Sequence, residues 1–169
     1  MVVIVIISIM TALMIPEMKG TFQDALLRSA SRELINVFDL AGSRAVSLNQ
    51  LRRVQIDEKT GRYLVEKQVS RDGQENFVPA DDVPDGKGEI DARIAIEFHR
   101  PADAASEADA ETSVSENSPS AGAVVFYPDG TADAADILLR DRAGFGLGLH
   151  INPVTARVRV MELEREGSP

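Results

Sequence analysis

A few groups of residues in this chain have types and spacings that could do chemistry. Arg157 and Arg159 stand two apart in Ala156-Arg157-Val158-Arg159-Val160, whose alternation predicts a strand. Both guanidiniums then share one face, with Val158 and Val160 opposite, and could grip phosphate oxygens. The plainer reading is two solvated arginines pairing with Glu162, Glu164 or other carboxylates. Asp81, Asp82 and Asp85 gather beside Pro84 and Gly86 and could offer oxygen ligands to Ca²⁺, but their spacing matches no calcium-loop signature and suits a polar turn. Gly144-Phe145-Gly146-Leu147-Gly148 has the look of a nucleotide-binding glycine fingerprint. It lacks the last spaced glycine and opens no helix, so it reads as turn and strand.

The catalytic inventory is thin. His99 and His150 are the only histidines, and no Gly-x-Ser-x-Gly, His-Glu-x-x-His or phosphate-loop pattern occurs. The absence of cysteine excludes disulfides, thiolate metal sites and cysteine nucleophiles. A formal net charge of -9 and a pI near 4.7 oppose global attraction to nucleic acid, although an acidic chain can still carry a local basic patch. The expectation is a protein without catalytic residues, metal or cofactor.

The elements that would position these residues follow from periodicity. Met1 to Ile15 is an apolar run closed by Pro16, with five β-branched residues from Val2 to Ile6. The plainer reading is a buried helix in a soluble domain, but apolar character on every side suits lipid or a bundle of helices better. Roughly 22 Å of helix results, about five residues short of a bilayer core that needs about 20. Beyond Gly20, apolar or small residues recur at Phe22, Leu26, Ala30, Leu34, Val37, Ala41, Ala45 and Leu48, one stripe of a helix, while Gln23, Asp24, Arg28, Ser31, Arg32, Asn36, Asp39 and Ser43 fall mostly off it. Gly42 is a mild cost inside that helix. Pro16 permits continuity of the two stretches only with a kink. Residues 1–16 are thus read as a transmembrane or filament-core segment and 17–50 as its amphipathic continuation.

From Leu51 the period changes to that of strands. Val54–Asp57, a turn at Glu58–Gly61 and Arg62–Lys67 predict a hairpin. Arg71-Asp72-Gly73 and Pro79–Gly88 are turn-rich, Ile94, Ile96 and Phe98 alternate inward, and extended segments return at Ala123–Tyr127, Ile137–Leu139, Gly146–Ile151 and Ala156–Glu162. Residues 101–121 are built of Ala, Ser, Asp, Glu and Pro with no basic residue, the composition of a disordered or mobile loop. The class is α+β, a helix packed on antiparallel sheet, with 51–165 as one β-rich domain.

The order of these parts resembles the type IV pilin and pseudopilin superfamily. The resemblance rests on the apolar run ending in Ile15-Pro16, its amphipathic continuation, the short strands, Phe126-Tyr127-Pro128-Asp129-Gly130-Thr131 and the closing Ala156–Val160. Within the superfamily, Arg44-Ala45-Val46-Ser47-Leu48-Asn49 together with the Phe-Tyr-Pro-Asp-Gly turn looks like the GspH/FimT-like minor pseudopilins. Members begin with a leader and Phe-Thr-Leu-x-Glu, which this chain lacks; aligning Pro16 with the family proline implies that Met1 is an internal methionine or that the start was trimmed.

The resemblance further implies a single-pass inner-membrane protein with its globular part in the periplasm. Its partners would be membrane lipid, inner-membrane components of the type II secretion system and other pseudopilins, met through Val2, Ile6, Ser8, Ile9, Leu13, Ile15 and Pro16. Small side chains such as Ser8, Thr11 and Ala12 would let helices approach closely. In the FimT-like branch a Gly-Arg-x-Arg motif resembling 156–159 is implicated in DNA binding during uptake, with Arg157 and Arg159 as the contacts and Ala156 in place of the glycine.

Overall fold

The structure is a computed structural model, and it describes residues 18–71, 74–100, 121–142 and 144–163. The apolar run with Val2, Ile6, Ser8, Ile9, Leu13, Ile15 and Pro16, and the acidic stretch 101–120, lie outside these residues. Among the described residues, no helix is long and apolar enough to cross a membrane.

Among the described residues, one helix, α1 (Met18–Leu48), precedes nine strands. They are β1 (Arg52–Asp57), β2 (Arg62–Arg71), β3 (Gln74–Pro79), β4 (Lys87–Glu89), β5 (Ala95–His99), β6 (Ala121–Phe126), β7 (Ala135–Arg140), β8 (Gly146–Ile151) and β9 (Val158–Leu163). They form two antiparallel sheets. The first runs β3-β2-β1-β6, with β4 taking the rest of β2's outer edge; the second runs β5-β7-β8-β9. The α+β class read from periodicity is the class observed. The chain departs from the expected elements at Gln74–Pro79, left without an element between two turn-rich stretches, which pairs with Glu66–Arg71 as β3. Gln74, Glu75 and Asn76 are exposed and Phe77 and Val78 are both half-buried, so the segment shows no inward alternation and its pairing with β2 defines it as a strand.

Helix α1 buries Leu27, Ala30, Ser31, Leu34, Val37, Phe38, Ala41 and Ala45. Steps of three and four put these on one face. The expected stripe is recovered from Ala30 to Ala45, whereas Leu26, expected inside, is only partly buried and Leu27 takes the core position; Ser31 and Leu48 also depart from it. Ser31, expected on the wet side, is buried because its hydroxyl donates to the Arg28 carbonyl at 2.9 Å and needs no water. Leu48, expected inside, is half exposed because the helix ends there in a Schellman cap. Asn49 takes the left-handed conformation, with Asn49 N–H on the Val46 carbonyl and Gln50 N–H on the Ala45 carbonyl.

Both sheets turn apolar inner faces to this helix. From the first come Val54, Ile56, Tyr63, Val65, Val124 and Phe126, and from the second Ile96, Ile137, Leu139, Leu147, Leu149 and Ile151. The sheets meet where β5 lies against β6. A Cβ added to Gly122 would sit 2.3 Å from Cγ of Phe98, so only glycine admits that ring. Gly122→Ala is expected to cost about 2 kcal/mol or more in denaturant melts by overpacking, and much of that loss should vanish in a Phe98→Ala background.

Among the described residues, the charged side chains that sit inside are Arg52 and Glu66. Arg52 is 1% exposed, and its guanidinium grips Asp82 by two bonds of 2.9 and 2.7 Å. Hydrogen bonding to Arg52 holds the Asp82 carboxyl below the usual carboxylate range. This pair pins the 80–86 loop, where Val83 is also buried, to the end of β1. The folded pKa is the depressed one, so the stabilisation is complete above the unfolded value near 3.8 and is lost as pH falls below it. Asp82→Asn strands the buried guanidinium. It should lower unfolding free energy by about 2 kcal/mol at pH 7, less than a fully buried pair because Asp82 is partly wet, and the difference from wild type should shrink below about pH 3.5.

Candidate groove at the end of the helix

The three sequence segments that carry the family resemblance converge on one place. A groove of about 470 Å³ runs beside the C-terminal half of α1. Its helix wall includes Asp39, Ser43, Val46 and Ser47, and its other walls include Tyr127, Gly130 and Thr131 from the turn after β6 and Thr155, Ala156 and Arg157 before β9.

Each wall is set by local chemistry. Gly130 takes φ 88° and its N–H reaches the Tyr127 carbonyl at 3.1 Å, closing the Tyr127-Pro128-Asp129-Gly130 turn. Asp129 Oδ1 accepts from both the Thr131 hydroxyl at 2.6 Å and the Thr131 N–H at 2.9 Å. Those bonds, the hydroxyl first, hold its carboxyl below the ordinary range. The Tyr127 hydroxyl donates to Asp133 at 3.0 Å, which keeps the tyrosine at the mouth of the groove. Beneath the turn Phe126 is fully buried, its ring centre 6.0 Å from that of Phe38. Gly42 is explained by the same ring, since a Cβ there would come 3.3 Å from Phe126 Cδ1. A mid-helix glycine that weakens the helix thus lets a large aromatic side chain in.

The second loop is built on Asn152. Its Oδ1 accepts from Val154 N–H at 3.0 Å and Thr155 N–H at 3.2 Å, and its own N–H reaches the Arg157 carbonyl at 3.0 Å. The two loops are tied together by Ala132 N–H on the Pro153 carbonyl at 2.9 Å. Ala156, standing where the resembling motif has glycine, adopts φ 52°. The left-handed backbone expected of a glycine is therefore retained by an alanine that is strained in it.

The remaining sequence candidates are dispersed. Arg157 precedes β9, which starts two residues later than expected, and lines the groove, whereas Arg159 lies within β9 opposite His150. Neither makes an ion pair with another described residue. The expected pairing of Glu162 with Arg157 or Arg159 does not form, since Glu162 is 3.0 Å from Arg28 on α1. His150 Nδ1 lies 2.6 Å from Asp136, and His99 is an exposed residue at the end of β5, 3.7 Å from Glu97. Asp82 is engaged by Arg52, leaving Asp81 and Asp85 on an exposed turn. Among the described residues, no cluster of acidic residues and histidines has the arrangement to hold a metal. Gly146 and Gly148 lie in β8 and Gly144 in the preceding turn, away from any helix N-terminus.

Sequence reasoning missed Arg52 with Asp82 and the fit of Phe126 on Gly42. Only the oddity of a charged residue at the head of an alternating strand, and of a glycine mid-helix, pointed to them. Because Ala156 is held at φ 52°, Ala156→Gly should raise stability by up to about 1 kcal/mol in urea titrations, in contrast with the usual penalty for glycine.

No family profile and no curated protein matches the chain by sequence. Solved structures do match by shape. A structure of the minor pseudopilin EpsH from the type 2 secretion system of Vibrio cholerae has 12% identity and a TM-score of 0.56, covering 79% of this chain and 94% of that one. A crystal structure of the same Vibrio cholerae pseudopilin has 13% identity and a TM-score of 0.57, covering 88% and 99%. The solution structure of Escherichia coli GspH has 16% identity and a TM-score of 0.56, covering 86% and 93%. One helix laid across two antiparallel sheets, with almost the whole length of those proteins matched, gives this chain the fold of the GspH/EpsH minor pseudopilins.

Proposed function

We propose that the chain is a minor pseudopilin of a type II secretion system, a structural subunit of the pseudopilus without chemistry of its own. The observation that carries this reading is the likeness of fold to EpsH and GspH over nearly their full length. The apolar run from Met1 to Ile15, directly before α1, supports it. Such a segment is stable in lipid or among other apolar helices, because its backbone groups are satisfied within the helix. The reading places the chain in the inner membrane as a single-pass protein with 51–165 in the periplasm, and makes other pseudopilins its partners through residues 1–16. The groove beside α1 is too open for a reaction that must exclude water, and its lining offers no paired acid and base; it suits contact with another protein.

Binding of DNA by Arg157 and Arg159 is the less favoured reading, since the matched structures are secretion pseudopilins. The test is deletion of the gene in its host. Secreted proteins should accumulate in the periplasm and return to the medium on complementation with the intact gene but not with a copy in which Ile6 and Ile9 are replaced by aspartate. Normal secretion combined with lost DNA uptake would overturn the proposal.

A further inference from the structure

The groove beside α1 has a direction. Its helix wall is Asp39, Gly42, Ser43, Val46 and Ser47, one stripe at steps of three and four, so the groove runs along the helix axis for roughly 12 Å. Gly42, Ser43 and Ser47 keep that wall low, and Val46 is 52% exposed. Asp39 is exposed and makes no ion pair with another described residue. A straight channel with an open apolar side chain and an open carboxylate suits a helix that presents an apolar stripe and a cation.

The chain carries such a helix. Among the described residues, the packed face of α1 starts at Leu27, with Ala25 exposed and Leu26 partly buried. On the preceding turns Lys19, Phe22 and Leu26 follow at the same steps of three and four. A second α1 laid parallel to the first and shifted along it by about 20 residues, roughly 30 Å, sets Lys19 level with Asp39, Phe22 with Gly42 and Leu26 with Val46. The register is specific. A shift about three residues shorter sets Phe22 against Asp39, and one about four residues longer carries Leu26 past Leu48, where α1 ends.

We propose that the groove receives Met18–Leu26 of a second copy of the chain, parallel to α1 and displaced by about 20 residues. The inference rests on the reading of the chain as a filament subunit, in which every α1 points the same way. The second copy's Lys19 meets the Asp39 carboxylate and sets the register, its Phe22 lies beside Gly42 and Ser43, and its Leu26 covers Val46. The opposite wall, with Tyr127 and Arg157, holds the helix from its other side. From Leu27 to Leu48, α1 runs through its own head for roughly 32 Å, about the displacement itself, so the second head stands end on to the first. Both N-terminal segments leave on the same side, one farther along the axis than the other, as a filament requires.

The chain has no cysteine, so introduced thiols report the contact directly. Level positions on the facing stripes of two closely packed helices come within reach of a disulfide. The deletion host is given two differently tagged full-length copies, Leu26→Cys and Val46→Cys, each first shown to restore secretion alone; should Leu26→Cys fail that check, Lys19→Cys with Asp39→Cys replaces the pair. Oxidation should link the two variants to each other at least about tenfold more than either to itself, because the displacement holds like positions roughly 30 Å apart. Asp39→Lys in the Val46→Cys copy should lower the yield severalfold, and Lys19→Asp in the Leu26→Cys copy should restore it. Secretion without a link between the two variants, or with same-variant dimers in equal amount, overturns the inference and leaves the pseudopilin reading standing. So does a photo-crosslinker at position 46 that captures a different pseudopilin and not this chain. A deletion strain that secretes normally removes instead the reading on which the inference rests.

Discussion

Everything in the head of this protein depends on one apolar face of one helix. Neither sheet shares a hydrogen-bonded ladder with the other, so what joins them is the layer of side chains from Leu27 to Ala45 on which both inner faces rest, helped by Phe98 at Gly122. Each fully buried Leu, Val or Phe in that layer contributes about 1.5–3 kcal/mol, against about 1 kcal/mol for a typical hydrogen bond. The Tyr63 hydroxyl, bonded to Glu33 at 2.6 Å and pushed to a high pKa first by burial, adds a polar tie from β2 to the helix. The helix is thus a structural member of the head as well as the continuation of whatever precedes it.

Small residues decide how near the sheets come. Ala30, Ala41 and Ala45 keep the helix surface low, and Gly42 makes room for Phe126. The turn that follows Phe126 is consequently anchored in the core at its first residue and polar at its tip, where Asp129 and Thr131 bond each other. The groove has a firm base and a rim of hydroxyls for that reason. A change at Gly42 would reach the rim through the ring of Phe126.

Much of this was legible in the residues. The 3.6-residue stripe gave the buried face of α1 from Ala30 to Ala45, and period-two alternation gave β1, β5 and β8 closely, because these elements have one dry and one wet side. Ser31 escaped because a local bond to a carbonyl lets a hydroxyl be buried, and β3 escaped because its buried and exposed side chains do not alternate. The groove was half visible: its three segments stood out individually, but nothing in one chain of letters says that positions 46, 130 and 156 line one groove. That fact comes from the crossing of α1 over the second sheet, a property of topology.

The placement of cations weighs against a polyanion on this surface. Arg28, Arg52, Arg53, Arg62 and Arg93 are each bound to a carboxylate of the chain. Arg53 also stacks at 4.1 Å on Phe77, which fixes it further. Freeing one of them for a phosphate would leave its own carboxylate unpaired, so the gain would be largely cancelled. Arg157 and Arg159 stand outside these pairs, but two guanidiniums release few counterions and must act within the field of a molecule of charge -9. At physiological salt that field decays over about 8 Å, far enough to repel a duplex lying along β9 yet short enough to leave a carboxylate or a backbone in direct contact unaffected. Short-range contacts therefore dominate what this surface can hold, and those available at β9 are backbone groups, apolar side chains and two arginines at one end.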